Sequence, residues 1–194
     1  MQREISKMNT KLWCRIVLGM LVAPGCILTP RLLAQKDVHA ALIVPTERKP
    51  APRFHLVSDT GKIVQISNFH GRVVLLNFWA TSCGGCIFEI PSFIELQQSY
   101  RNRDFTAIGI STDIAYEGLK SAEQAWRRVR PFMSSYGMNY PVLMGNDAVI
   151  HAYGFKSYPA TYLIDKSGQI AATYVGIVDK NDVEANMKKL LAER

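Results

Sequence analysis

Only four of the 194 residues are cysteine and four are histidine, and that scarcity excludes most metal centres. A structural zinc site takes four Cys or His ligands in paired spacing. Here Cys83 and Cys86 form one pair, Cys14 and Cys26 lie far off near the N-terminus, and His55, His70 and His151 stand singly. No metal site is expected. Also missing is an uninterrupted apolar run of about 20 residues, the length of a membrane-spanning helix. The apolar stretch 16–28 is shorter and is broken by Pro24-Gly25. The body of the chain lacks an excess of either charge. The formal +7 belongs to residues 1–53, with nine Lys/Arg against three Asp/Glu, whereas the remainder has fourteen against thirteen. Without a basic stripe on the body, nucleic acid is excluded as a partner. No internal repeat or low-complexity segment is evident.

What is present begins with a leader. Arg3, Lys7, Lys11 and Arg15 precede the 16–28 run, the layout of an export signal that sends the body across the cytoplasmic membrane. Residues 1–34 are expected to be a signal peptide, cut after Ala34 or Ala40, or a retained signal anchor in which Arg15 snorkels. Lipidation at Cys26 is a third option, although Ala23-Pro24-Gly25 matches a lipobox only loosely. Residues 35–52 mix Pro, Lys, Arg and Glu without periodicity and read as a linker. The catalytic body is expected over 53–194.

Within that body, 54–58 and 63–66 read as a hairpin added to the edge of the main sheet. The continuous apolar run 73–78 reads as a strand buried on both faces. A helix follows to about Tyr100, with Pro91 expected to kink it. Residues 105–111 form the next strand, and 112–120 a polar connection. A helix is expected over 122–136, where Trp126, Val129, Phe132 and Met133 recur at helical spacing and Gly137 gives the C-cap. Then come a strand over 140–144, a helix capped by Asp147, strands over 160–165 and 170–175, and a terminal helix begun by Asn181-Asp182. Met138 and Met144 read as core fillers.

The chemistry is carried by Cys83-Gly84-Gly85-Cys86 between the 73–78 strand and its helix. Two thiols three residues apart across a helix N-terminus can close a small disulfide ring. The first sulfur meets unpaired N–H groups and the positive end of the helix dipole, which stabilise an anion and lower a thiol pKa to between about 3.5 and 7.5. Cys83 is therefore the expected nucleophile and Cys86 the resolving thiol. Glu89, one turn further on, is placed to take the Cys86 proton. His151 is expected to be exposed and not catalytic.

The run NFWATSCGGCIFEIPSF, the later IGIST, and YGFKSYPATYLIDKSGQI followed by Gly176 resemble the TlpA/ResA-like branch of the thioredoxin superfamily, over about residues 52–191. The resemblance implies an α/β thioredoxin fold, a central mixed sheet flanked by helices, with an N-terminal β-hairpin extension and a helical insertion over 111–147. It implies a cis Pro159 opposite the disulfide, with Tyr158 and Trp79 on the substrate side; Trp79 is also expected to pack beneath the loop. It assigns Glu89 proton handling, which fits the presence of Asn77 where cytoplasmic relatives place a buried Asp. Protein thiols and disulfides are the implied partners, with apocytochrome c the favoured class, a membrane electron donor the reductant, and no bound cofactor beyond the Cys83–Cys86 couple. Two positions depart from the pattern. Gly84-Gly85 lacks the Pro common in relatives, and Ser82 replaces a second Trp. They leave open an oxidase or isomerase working through the same residues. A copper carrier using both thiols and His151 is the alternative outside enzymology.

Overall fold

The computed structural model describes residues 37–193; the leader readings, including Cys14, Cys26 and the Ala34 cut, lie outside them. Among the described residues eight strands and five α-helices follow in chain order: β1 (Lys49–Pro50), β2 (His55–Val57), β3 (Ile63–Gln65), β4 (Val73–Trp79), α1 (Gly84–Tyr100), β5 (Phe105–Ser111), α2 (Asp113–Tyr116), α3 (Ala122–Tyr136), β6 (Val142–Met144), α4 (Asp147–Tyr153), β7 (Ala160–Ile164), β8 (Gln169–Val175) and α5 (Lys180–Ala192). Six strands make one mixed sheet in the order β1-β8-β7-β4-β5-β6. β4, β5 and β6 are parallel, and β7, β8 and β1 run antiparallel. This is the thioredoxin arrangement that the sequence implies. Among the described residues no helix is long and apolar enough to cross a membrane.

The apolar run of β4 is buried at all seven positions because both faces of the sheet are covered. Alternation divides it between two cores. Val73, Leu75 and Trp79 pack with Ile90 and Phe93 of α1, Val129 of α3 and Val183, Met187 and Leu190 of α5. Val74, Leu76 and Phe78 face Leu56 of the hairpin and Val149 and Tyr153 of α4. The strand thus fixes where its C-terminal end, and the loop beyond it, must emerge.

The capping chemistry sets the helix limits. Ser121 Oγ accepts the Gln124 N–H at the start of α3, and Gly137, at φ +64°, ends it in the left-handed region. α4 is capped by Asn146, whose side chain accepts the Val149 N–H, and Asp147 is the first helical residue. α5 begins at Lys180, one residue before the Asn181-Asp182 pair, since Asp179 is the N-cap and accepts the Asn181 and Asp182 N–H groups. Pro91 sits inside α1, which nevertheless continues to Tyr100.

One expectation about the N-terminal part of the chain needs correction, and the place of the hairpin can be made specific. The expected linker is docked from Val38 onward. Val38 N–H donates to Ile177 O at 2.7 Å, Ile43 N–H to Ala171 O at 2.8 Å and Ala51 N–H to Gly168 O at 2.9 Å. Such a strap needs no apolar periodicity, because backbone bonds to an existing sheet edge hold it. It also supplies β1, the strand that extends the sheet beside β8. The β2–β3 hairpin forms its own two-stranded sheet and joins the edge of the main one at β6, through the Ser58–Leu143 bridge and the Asp59 N–H bond to Val142 O at 3.1 Å.

Gly109 shows how tightly the first core is built. A β-carbon there would lie 2.7 Å from Trp79 Nε1 and 3.4 Å from the Tyr140 ring. Since both side chains are buried, neither can swing aside. Gly109→Ala is expected to cost about 1–3 kcal/mol by overpacking, read as a lowered thermal midpoint with an unchanged far-ultraviolet spectrum.

Candidate active site

The loop leaving β4 delivers Cys83 to the start of α1. Cys83 N–H donates to Ala80 O at 3.1 Å, closing a turn, and the Cys83 sulfur accepts the Cys86 N–H at 3.3 Å as the helix N-cap. The two sulfurs are joined in a disulfide with Cα atoms 5.3 Å apart. Cys83 keeps 4% of its surface exposed and Cys86 none, so an incoming sulfur can approach only Cys83. The unpaired N–H groups of the first turn face the same place, favouring negative charge on the outer sulfur.

Glu89 lies on the inner side of α1, one turn past Cys86, and is 2% exposed. Its Oε1 accepts the Val178 N–H at 2.8 Å and its Oε2 accepts from Asn77 Nδ2 at 3.3 Å. Burial pushes its pKa up to about 8, against the opposing pull of these two hydrogen bonds. Asn77 Nδ2 also donates to Thr161 Oγ1 at 2.9 Å, while Asn77 Oδ1 has no partner. An amide carries both a donor and an acceptor end, so Asn77 can serve either protonation state of the carboxyl beside it. A polar residue inside the apolar β4 run was the available signal for this partnership.

Pro159 follows a cis peptide bond from Tyr158. It lies against the active-site turn, since a β-carbon at Gly85 would sit 3.3 Å from Pro159 Cδ and 3.4 Å from Ile177 Cγ1. Tyr158 is half-buried, with edge-to-face contacts to Tyr116 at 5.0 Å and Phe155 at 5.1 Å. These aromatics line an open groove of about 610 Å³ together with Asp147, Ile150 and His151. Trp79 does not join them. It is fully buried, with its ring 5.1 Å from Phe132, and cannot touch a substrate. Its side chain points, like those of Val73 and Leu75, to the face covered by α1, so only its packing role stands. His151 is exposed and lines the groove. Among the described residues no three His, Cys, Asp or Glu side chains are grouped to hold a metal.

The sequence reading missed the contacts of the short α2 turn. Thr81 N–H donates to Asp113 Oδ1 at 3.1 Å and Thr81 Oγ1 donates to the same oxygen; Ser82 Oγ donates to Glu117. Thr112 bonds Trp79 O through its N–H at 2.8 Å and its hydroxyl at 3.0 Å. A four-residue helix leaves no periodic trace in a polar connection.

A sulfur pair with one accessible member, at a helix N-terminus and facing a cis-proline, defines a dithiol–disulfide redox centre. The AhpC/TSA family model matches residues 48–173. The thiol-disulfide oxidoreductase ResA of Bacillus anthracis is 31% identical over 146 residues, covering 73% of this chain and 77% of that protein. Among solved structures, a putative thiol:disulfide interchange protein DsbE from Chlorobium tepidum superposes with a TM-score of 0.66 at 26% identity, over 75% of this chain and 97% of that one. The pneumococcal exposed lipoprotein thioredoxin Etrx1 from Streptococcus pneumoniae gives 0.61 at 25% identity, over 72% and 100%. The chain belongs to the AhpC/TSA family and is a thiol-disulfide oxidoreductase of the thioredoxin superfamily.

Proposed function

We propose that the protein acts outside the cytoplasmic membrane as a reductase of protein disulfides, with Cys83 as nucleophile, Cys86 as resolving thiol and Glu89 as the proton acceptor for Cys86. The observation that carries this reading is the asymmetric pair, an outer sulfur at the helix N-terminus and an inner one on the helix that also bears a buried carboxyl. In the reduced protein the Cys83 thiolate attacks a substrate disulfide, forming a mixed disulfide and releasing one substrate sulfur, which takes a proton from solvent. Cys86 passes its proton to Glu89 and attacks Cys83, expelling the second substrate sulfur. The substrate gains two electrons and two protons, and the Cys83–Cys86 disulfide results. A membrane electron donor restores the dithiol. Tyr158 and the Tyr116 groove receive the polypeptide flanking the substrate cysteine. Apocytochrome c is the favoured substrate class among exported proteins. The basic, apolar leader and the likeness to an exposed lipoprotein support the location. A reduction potential near about −270 mV or below, with turnover of a protein disulfide such as insulin, bears the proposal out; a value near about −120 mV makes the protein an oxidase and overturns it.

Glu89→Gln tests the proton role. With wild-type protein the resolving rate should rise with pH and level off above about 8, where Glu89 is ionised; the variant should be slower and lose that step. Stability follows the opposite course. A carboxyl whose folded pKa is raised stabilises the oxidised fold fully below its unfolded value, and that contribution is lost as pH rises toward about 8. Glu89→Gln should therefore flatten the decline in thermal midpoint between pH 5 and 8. An unchanged pH–rate profile in the variant counts against the assignment.

A further inference from the structure

The two residues that precede Cys83 are both held by carboxylates from the α2 turn. Asp113 is wholly buried. Its Oδ1 accepts from the Thr81 N–H and hydroxyl, and its Oδ2 accepts the Ser111 hydroxyl at 2.8 Å. Both oxygens are engaged in hydrogen bonds, and among the described residues its hydrogen-bond partners are neutral. Glu117, just beyond α2, accepts the Ser82 hydroxyl, and its other oxygen pairs with Arg128 Nη1 of α3 at 3.1 Å.

We propose that Asp113 and Glu117 form an acidic brace that fixes the Thr81-Ser82 loop and sets the Cys83–Cys86 couple toward the reductant side. They are positioning residues, acting through the loop and through their charge. The reasoning rests on the reductase reading and concerns opposing fields. The first turn of α1 stabilises a Cys83 thiolate, and a stabilised thiolate favours the dithiol, which makes a couple oxidising. Negative charge on the loop side opposes that effect, destabilises the dithiol and strengthens the protein as an electron donor. Among the described residues Asp113 has no cation among its hydrogen-bond partners, whereas Glu117 is paired with Arg128. Tyr116 of the same turn lines the groove with Tyr158, Asp147 and His151, and Glu89 lies on the inner side of α1.

The test titrates the Cys83 thiolate by its ultraviolet absorbance and measures the equilibrium of the couple against glutathione in wild-type, Asp113→Asn, Glu117→Gln and Arg128→Ala proteins. Asp113→Asn should lower the Cys83 pKa and move the equilibrium about threefold to tenfold toward the dithiol. Glu117→Gln should move it the same way by less. Arg128→Ala, which exposes the Glu117 charge, should move it the opposite way, a change of sign that mere loosening of the loop does not produce. A folded Asp113→Asn protein with wild-type titration and equilibrium overturns the brace. If that variant does not fold, the Glu117→Gln and Arg128→Ala pair decides, opposite shifts supporting the proposal and no shifts overturning it. A wild-type protein that proved strongly oxidising would overturn the reductase reading, while the direction of each shift would still report on the brace.

Discussion

Cys86→Ser protein, reduced and mixed with a disulfide-bearing polypeptide, is expected to stop at a covalent complex through Cys83. Cys83 alone offers surface to an incoming sulfur, at 4% against 0% for Cys86, and it occupies the N-cap where a thiolate is stabilised. The first exchange therefore needs only Cys83. The second needs a thiol within the same turn, and a serine hydroxyl cannot form the disulfide that expels the substrate. Turnover should fall to the buffer background while a dithiothreitol-sensitive adduct accumulates. Cys83→Ser should also lose turnover but form no adduct, because the remaining sulfur is enclosed. Capture by Cys83→Ser and none by Cys86→Ser would reverse the assignment of the two roles. The adduct made with exported proteins identifies the substrate directly, and haem-attachment cysteines among the captured peptides would place apocytochrome c in the class.

The parts legible in the sequence are those where local chemistry and tertiary environment agree. The 73–78 run reads as a strand covered on both sides, and Cys83 beyond its exit as a thiol at a helix N-terminus, where the structure makes it the N-cap. Gly137 and the helical spacing of Trp126, Val129, Phe132 and Met133 mark α3, and the helix runs over Ala122–Tyr136 as expected. The failures have a common cause, in that distant partners decide them. The resemblance puts Trp79 on the substrate side as well as beneath the loop, yet strand alternation from Val73 and Leu75 turns it into the core and leaves only the packing role. Asn77 could be seen as unusual, but its partnership with Glu89 and Thr161 joins three elements. The 38–51 strap borrows its order from β8 and the adjoining chain, so its own residues show no pattern. Asp113 and Glu117 looked like ordinary polar-loop residues, because nothing local tells a carboxylate that it will meet the loop before Cys83.

The same strap yields the largest expected loss of stability, on replacing Arg48 with alanine. The Arg48 side chain is 3% exposed and bonds Asp165 Oδ2 at 3.0 Å, Glu193 at 2.6 and 2.8 Å, and Ile43 O at 2.9 Å. It thus ties the strap to the β7–β8 turn and to the end of α5. Hydrogen bonding to Glu193 raises the arginine pKa further, so it is always charged. Burial pushes Asp165 up, but Ser167, Gln169 and Arg48 together outweigh it and leave the pKa lowered; Glu193 is lowered chiefly by its bond to Arg48. Removing one member of a buried pair costs about 3–5 kcal/mol. The lower half applies here, since Asp165 retains Ser167 and Gln169, and Glu193 is partly solvated. A fall of about 6–15 °C in thermal midpoint follows for a chain of this size. Carboxylates with depressed folded pKa values stabilise above their unfolded values and cease to as acid protonates them. The gap between wild-type and Arg48→Ala should therefore close as pH drops below the usual carboxylate range. Disulfide reduction at low temperature should be unaffected. β7 runs antiparallel to β4, pairing Ala160 with Phe78 and Ile164 with Val74, so Asp165 lies at the end of the sheet opposite Cys83. Loss of turnover in a folded Arg48→Ala protein would contradict that separation.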